Sequence, residues 1–261
     1  MRSTHSLTVR AGRARCAPFL LLVGVVLLSA CGGSKPLSPG YPSEYPSWFL
    51  EQPPAFAVGY ARNGGYEDAA VREAARVAAK AFAMEESVIV NGGRGSIVGP
   101  FGTVLAGPIL EEFVDYDRVD HYYDPERVAA AAHLDRMTVV LLAKRTLSDA
   151  EKGAIDDDLR PSGGSYPDWV EHPPDDDEDG YTYAVGLSGK NEYEVTSWRM
   201  AERHARFRFA LNTLVDVSAL YREGGIALVE ADNVVVRGFE VVKRWRDPED
   251  GACFVLARAG R

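Results

Sequence analysis

The sequence predicts an α+β protein made of two tandem repeats, each with one helix packed on a small, mostly antiparallel sheet in the order β-α-β-β-β. Self-similarity is the first of three observations behind this. Tyr45-Pro46-Ser47-Trp48, Pro53-Pro54 and Phe56-Ala57-Val58-Gly59 return as Tyr166-Pro167-Asp168-Trp169, Pro173-Pro174 and Tyr183-Ala184-Val185-Gly186. From Gly59 and Gly186 the match continues at a constant offset of 127, pairing Arg76 with Arg203, Ala78 with Ala205, Phe82 with Phe209 and Val88 with Val215. The second observation is an Ala-rich helical stripe in each copy. The third is a set of short β-branched and aromatic runs bounded by Gly and Pro.

Taken in order, Phe56 to Ala61 reads as a strand ending near Gly. Val71, Ala75, Ala78 and Phe82 then recur at three- and four-residue spacing, with Arg72, Glu73, Arg76 and Lys80 between them, which predicts one amphipathic helix. Ser87 to Asn91 reads as a strand, and so do Phe113 to Tyr123, where Val114 and Tyr116 alternate with Asp115 and Asp117, and Met137 to Lys144. In the second copy Tyr181 to Leu187 is a strand. Asn191 and Glu194 have capping-box spacing ahead of a stripe of Trp198, Ala201, Ala205 and Phe209. Leu214 to Leu220, Asn233 to Trp245 and Cys253 to Ala257 complete the strands. Near the ends, Asp124-Pro125-Glu126 answers Asp247-Pro248-Glu249, and Leu141 to Lys144 answers Val255 to Arg258.

Ahead of the repeats stands a different kind of segment. Arg2, Arg10, Arg13 and Arg15 precede an uncharged apolar run from Ala17 to Ala30. Its length suits a secretory signal and falls short of the roughly 20 residues that span a bilayer. Leu28-Ser29-Ala30-Cys31 resembles the bacterial lipobox, which implies cleavage after Ala30 and acylation of Cys31. Residues 1–30 are expected to be the signal peptide, and 31–44, with Pro36, Pro39 and Pro42, a lipidated flexible tether. The first repeat then runs over 45–147, a charged and Gly/Ser-rich linker over 148–165, and the second repeat over 166–261. Several acyl chains, at about 0.8 kcal/mol per buried CH₂, make a stable anchor. Gly32 rather than Asp after the cysteine favours sorting to an outer membrane.

Loss of residues 1–30 takes Lys+Arg from 29 to 25 against 38 Asp+Glu, so the net charge moves from −9 to about −13. An acidic surface of that size repels phosphate backbones, which argues against a nucleic-acid partner. Cys16 leaves with the signal and Cys31 carries lipid, so Cys253 is the remaining thiol and no intramolecular disulfide is expected.

Lipobox, tether, Pro-x-Trp, Pro-Pro, Ala-Val-Gly and an Ala-rich helix running into a Val/Ile strand together resemble the Lpp-twenty family of outer-membrane lipoproteins, and more distantly lipoproteins of flagellar outer-membrane assemblies. The resemblance covers each repeat from Tyr45 and Tyr166 to the strand after the helix. It implies an envelope protein without enzymatic activity. The chain departs from that pattern in carrying two copies and a long Gly-rich insertion.

Candidate chemistry is sparse. Asp175 to Gly180 contains Asp-x-Asp-x-Asp-Gly, half of a calcium loop, but position twelve is Gly186 instead of an acid, and no helix precedes it. An inserted acidic surface loop accounts for it. Asn91 to Pro108 is Gly-rich and expected to form a mobile loop between strands, and Gly59 to Tyr66 lacks the Lys-Ser/Thr of a phosphate loop. His121, His133, His172 and His204 have no metal-ligand spacing, and no nucleophile motif occurs. Trp48 and Trp169 read as plugs closing one end of each core. No catalytic residue, cofactor or metal is expected. The partners implied are the bilayer, through Cys31, and a protein or cell-wall component. Alternatives are a subunit of an envelope or flagellum-associated ring, or a small-ligand or calcium carrier, which requires a concave pocket with converging polar groups.

Overall fold

The computed structural model describes residues 42, 44–97, 103–105, 109–162, 164–174, 180–214 and 227–260. The chain runs β1 (Glu44–Pro46), α1 (Ser47–Leu50), β2 (Phe56–Arg62), α2 (Glu67–Glu86), β3 (Val88–Ile97), β4 (Thr103–Leu105), β5 (Ile109–Phe113), α3 (Tyr116–Tyr122), β6 (Val128–His133) and β7 (Met137–Ala143). It continues through α4 (Asp149–Lys152), β8 (Leu159–Pro161), α5 (Asp168–Glu171), β9 (Tyr181–Ser188), α6 (Glu194–Leu214), β10 (Ala227–Val236), β11 (Glu240–Arg246) and β12 (Cys253–Gly260). The fold class is α+β with small antiparallel sheets.

One glycine in each half explains how helix meets sheet. A methyl group added at Gly59 of β2 would stand 1.9 Å from the Ala74 carbonyl oxygen and 2.4 Å from the Ala78 nitrogen of α2. At Gly186 of β9 it would stand 1.9 Å from the Ala201 carbonyl and 2.7 Å from the Ala205 nitrogen of α6. Only a hydrogen fits between helix backbone and strand backbone at either place. The small residues beneath, Ala74 and Ala78 in α2 and Ala201 and Ala205 in α6, are fully buried by that approach.

The first sheet has the order β2-β7-β6 and another has β9-β12-β11, all antiparallel. Every residue of β7 is buried, because the strand is covered on both faces. Val140 and Leu142 pack toward the alanines and Phe82 of α2, while Met137, Val139 and Leu141 enter the main core. That core also takes Trp198, Phe207 and Leu211 of α6 and Val255 of β12. A third sheet joins residues from both halves: β3 and β10, the strands following the two helices, pair antiparallel with Val88 opposite Val236 and Val90 opposite Val234. β4 and β5 add to the other edge of β3. The described residues thereby belong to one compact unit.

The segment leading into the first sheet fills the space between the halves. Tyr45 stacks on Phe49 at 5.1 Å, and Trp198 of α6 meets Phe49 edge-on at 5.4 Å. Offset and edge-to-face arrangements of this kind satisfy the ring quadrupoles. The Tyr45 hydroxyl and the Trp198 indole N–H both donate to Glu194 Oε1. Residues 148–165 are more structured than a linker: Ser148 and Glu151 form a capping box on α4, and β8 pairs with β1.

Several local expectations are corrected. Phe113 to Tyr123 is not one strand, since α3 occupies Tyr116–Tyr122. The Asp115 carboxylate accepts from the Asp117 N–H, capping the helix, and Val119 is buried against α2. A four-residue alternation is too short to outweigh such a cap. Asn191 and Glu194 do not form a capping box: Glu194 is the first helical residue and its carboxylate is committed to Tyr45 and Trp198. Asn91 to Ile97 is strand rather than loop, with a bulge at Gly92, whose φ is +79°. Residues 98–102 and 106–108 lie outside the described residues, as do 215–220 of the strand expected over Leu214 to Leu220, whose first residue instead ends α6. The match of Leu141 with Val255 slips by one residue, because Gly59 is opposite Val140 and Gly186 opposite Val255. A one-residue slip exchanges the two faces of a strand.

Candidate functional site

Residues 1–41, including Ala30 and Cys31, lie outside the described residues, as do Asp175 to Asp179 of the acidic loop. Gly180, which follows that loop, has φ +80°. Of the five histidines, the four that lie among the described residues occupy separate parts of the fold. His133 Nδ1 is 3.0 Å from Thr138 Oγ1, His172 Nδ1 is 3.1 Å from Asp168 Oδ1, His204 meets the Leu187 carbonyl, and the His121 ring lies edge-on to Tyr122. Among the described residues no group of three His, Cys, Asp or Glu side chains stands close enough to hold a metal ion, and no helix is long and apolar enough to cross a membrane. Cys253 is buried as a free thiol, and desolvation pushes its pKa well up. Trp48 is buried with its indole N–H donating to Asp157 Oδ1 at 3.0 Å, while Trp169 is half-buried against Val185, Trp245 and Phe254.

What the geometry does assemble is a cleft of about 890 Å³ bounded by β2, α2 and β5 of the first half and by α6 and β11 of the second. Its lining includes the apolar side chains Phe56, Val58, Val77, Met84, Met200 and Val241. It is also rich in charged side chains. α6 projects Arg199, Arg203 and Arg206, spaced by four and three residues along one face, and α2 contributes Lys80. β11 adds Arg244, whose side chain is 1% exposed.

Two carboxylates sit among these cations. Arg206 grips Glu112 of β5 with Nε at 2.7 Å and Nη2 at 3.2 Å, and Arg203 Nε lies 3.4 Å from the same carboxylate. Burial works against the Glu112 charge, yet Arg206, Arg203 and Lys80 outweigh it and hold the carboxyl below its ordinary pKa. Arg244 donates to Glu202 at 3.0 Å and to the Phe49 carbonyl at 3.2 Å. Lys80 is different. It makes no hydrogen bond or ion pair with the described residues, and desolvation first, then Arg206, Arg199 and Arg203, pull its pKa down against the opposing effect of Glu112. Arg199 likewise has no hydrogen bond or ion pair among the described residues.

Tyr60 lines the same cleft at 1% exposure, and its hydroxyl is buried without a hydrogen-bond partner. An unsatisfied buried hydroxyl costs about 1–3 kcal/mol, so such groups in native folds call for a partner. Burial raises its pKa well above the ordinary tyrosine value, so the group is a donor at any physiological pH.

Sequence reasoning found two of these residues in another guise: Lys80 as part of the polar face of a helix, and Arg203 as the repeat partner of Arg76, which also lines the cleft. It missed Tyr60, Glu112, Arg199, Arg206 and Arg244. A signal was present in α6. Three arginines on one helical face repel one another, at about 0.2–0.5 kcal/mol per pair on an isolated helix, and stand out in a chain of net negative charge.

No family model, curated protein or solved structure matches this chain.

Proposed function

We propose that the chain is a lipid-anchored, non-enzymatic binding or scaffolding protein of a bacterial outer envelope, held to the bilayer through acylated Cys31 with its folded part in the periplasm or at the cell surface. The observation carrying this reading is Leu28-Ser29-Ala30-Cys31 at the end of an uncharged apolar run preceded by four arginines. The acidic mature charge agrees with it, since it disfavours nucleic acid and leaves an envelope protein or cell-wall component as the partner class. Fractionation tests the anchor. Wild type is expected with outer membranes and a Cys31→Ser variant elsewhere, unprocessed or released. Identical partitioning of the two overturns the proposal.

A second reading, small-ligand carriage, gains support from one observation: the cleft between the halves, lined by both apolar and charged side chains. Such a cavity lies within the usual range of ligand pockets, roughly 300–1,000 Å³. Carriage is compatible with the same anchor.

A further inference from the structure

The two sheets that lie under the long helices match strand for strand. β2-β7-β6 and β9-β12-β11 have the same order and the same antiparallel sense, with Gly59 opposite Val140 and Gly186 opposite Val255. Their third strands match even in their irregularity. Val128 of β6 faces Leu142 and Ala130 faces Leu141, just as Val241 of β11 faces Ala257 and Lys243 faces Leu256. Ala129 and Val242 are therefore the same bulge position.

The outer edges of these two strands have different fates. On β11 the chain covers its own edge: the Gln52 N–H donates to the Val242 carbonyl at 3.0 Å, Glu51 forms an antiparallel bridge with Lys243, and the two side chains stand 3.5 Å apart. β6, in contrast, pairs with β7 alone among the described residues. An open edge is a template for another strand, and native proteins blunt it with charge, proline or a covering segment. Past the bulge, Ala130-Ala131-Ala132-His133 holds no proline, lysine, arginine or carboxylate, and Ala131 and His133 are exposed.

We infer that β6 is a self-association edge, on which β6 of a second copy of this chain adds as an antiparallel strand about a two-fold axis at Ala131. The flanks select a second copy as the occupant. Glu126 and Arg127 precede the strand, and Asp135 and Arg136 follow it. With Ala131 opposite its own mate, Glu126 falls against Arg136 of the second copy and Arg127 against Asp135 of the second copy. The order of charge is its own complement on reversal, as an isologous interface requires. Between the charged ends Ala130 faces Ala132, and methyl groups opposite one another leave the backbones free to approach. A six-residue edge offers a contact at the small end of specific interfaces, below about 1,200 Å², where association is weak and reversible. The inference goes beyond the anchor and carrier readings and depends on neither.

Ala131→Cys tests the axis. Residues directly opposite in an antiparallel pair have Cα atoms about 4.5–5.5 Å apart, within the range that a disulfide spans. The full chain in detergent is oxidised with copper–phenanthroline in air, beside wild type, which sets the background from the native cysteines, and beside Tyr66→Cys, a collision control at a position 80% exposed. Above that background, Ala131→Cys should form disulfide-linked dimers at least tenfold faster than Tyr66→Cys. Sedimentation velocity of the same full chain supplies the second arm. Wild type should show a reversible monomer–dimer equilibrium. Ala131→Lys and Ala131→Glu each set like charges opposite at the axis and should weaken dimerisation at least tenfold, whereas an equimolar mixture of the two should regain it. Because Ala131 is exposed, both variants should melt near wild type. Cross-linking no faster than the control, a wild-type chain that stays monomeric at every concentration reached, or a mixture no more dimeric than either variant alone overturns the inference. Dimers that persist in both charge variants place self-association elsewhere on the chain and overturn it too.

Discussion

Replacing Gly59 with Ala puts the helix-on-sheet geometry to a quantitative test. The new methyl carbon would fall 1.9 Å from the Ala74 carbonyl oxygen, 2.4 Å from the Ala78 nitrogen and 2.9 Å from the Ala78 methyl. Carbon and oxygen in van der Waals contact stand about 3.3–3.5 Å apart, so α2 has to retreat by roughly 1.4 Å. The obstructing atoms are helix backbone and cannot rotate away. A gap of that size removes much of the dispersion contact between the helix and Val140 and Leu142. Overpacking of this kind typically costs 1–3 kcal/mol, and the reduced entropy of an unfolded chain with Ala in place of Gly returns only about 0.4–1. A net loss of about 1–2 kcal/mol is expected, corresponding to a melting temperature lower by about 2–8 °C for a chain of this size. Gly186→Ala makes the same clash with Ala201 and Ala205 and should cost the same. Because the halves share a core, each variant should show a single displaced transition by circular dichroism. A melting temperature within 2 °C of wild type for either variant refutes the packing argument. Two separated transitions refute the shared core.

Other outcomes follow from the buried charges and the backbone. Glu112→Gln leaves Arg206 buried without its counter-ion, which should destabilise the protein by about 3 kcal/mol in a denaturant titration. Since Glu112 titrates below its ordinary value, its stabilising contribution is present above pH 4.5 and lost as pH falls through the folded value, so the gap between wild type and this variant should narrow on acidification. Glu194 behaves in the opposite sense: burial, opposed by the bonds from Tyr45 and Trp198, raises its pKa. Its contribution is full below 4.5 and lost as pH rises through the folded value. Melting curves of Glu194→Gln should therefore gain on wild type as pH rises from 4 to 7, and a difference independent of pH contradicts the burial argument. Ala55 holds φ at +67°, a region costing a residue with Cβ about 1–2 kcal/mol. Ala55→Gly should thus raise the melting temperature by a degree or two after its own unfolded-state entropy is subtracted.

How much of this was legible in the linear chain depends on the range of the interaction. The two helices, each an Ala-rich stripe after a short strand, were legible because their period lies within about twenty residues, whereas the close approach at Gly59 and Gly186, read as strand ends, emerged with the structure. The α+β class followed from the same local patterns. α3 escaped notice since its seven residues carry one buried position, Val119, and two turns of helix show little period. The match of Leu141 with Val255 slipped by one because both strands are apolar on each face, which leaves no alternation to fix the register. The cleft was illegible for a different reason. Lys80 and Arg199 converge in a structure where β3 pairs with β10, a contact between residues more than a hundred positions apart. No spacing rule reaches that far. Tyr60 looked like one more aromatic strand residue, and its orphan hydroxyl exists only in three dimensions. Glu112 falls between the Gly-rich stretch ending at Pro108 and the run read from Phe113, and its role became apparent once Arg206 stood 2.7 Å away.

The proposed anchor requires an acylated Cys31 at the start of the mature chain, and the intact mass of the chain extracted from its native membrane tests it most directly. The predicted result is a polypeptide of residues 31–261 carrying the added mass of a diacylglyceryl thioether and an N-linked acyl chain, both located on the peptide that begins at Cys31. A chain that still begins at Met1, or one whose Cys31 is an unmodified thiol, contradicts it.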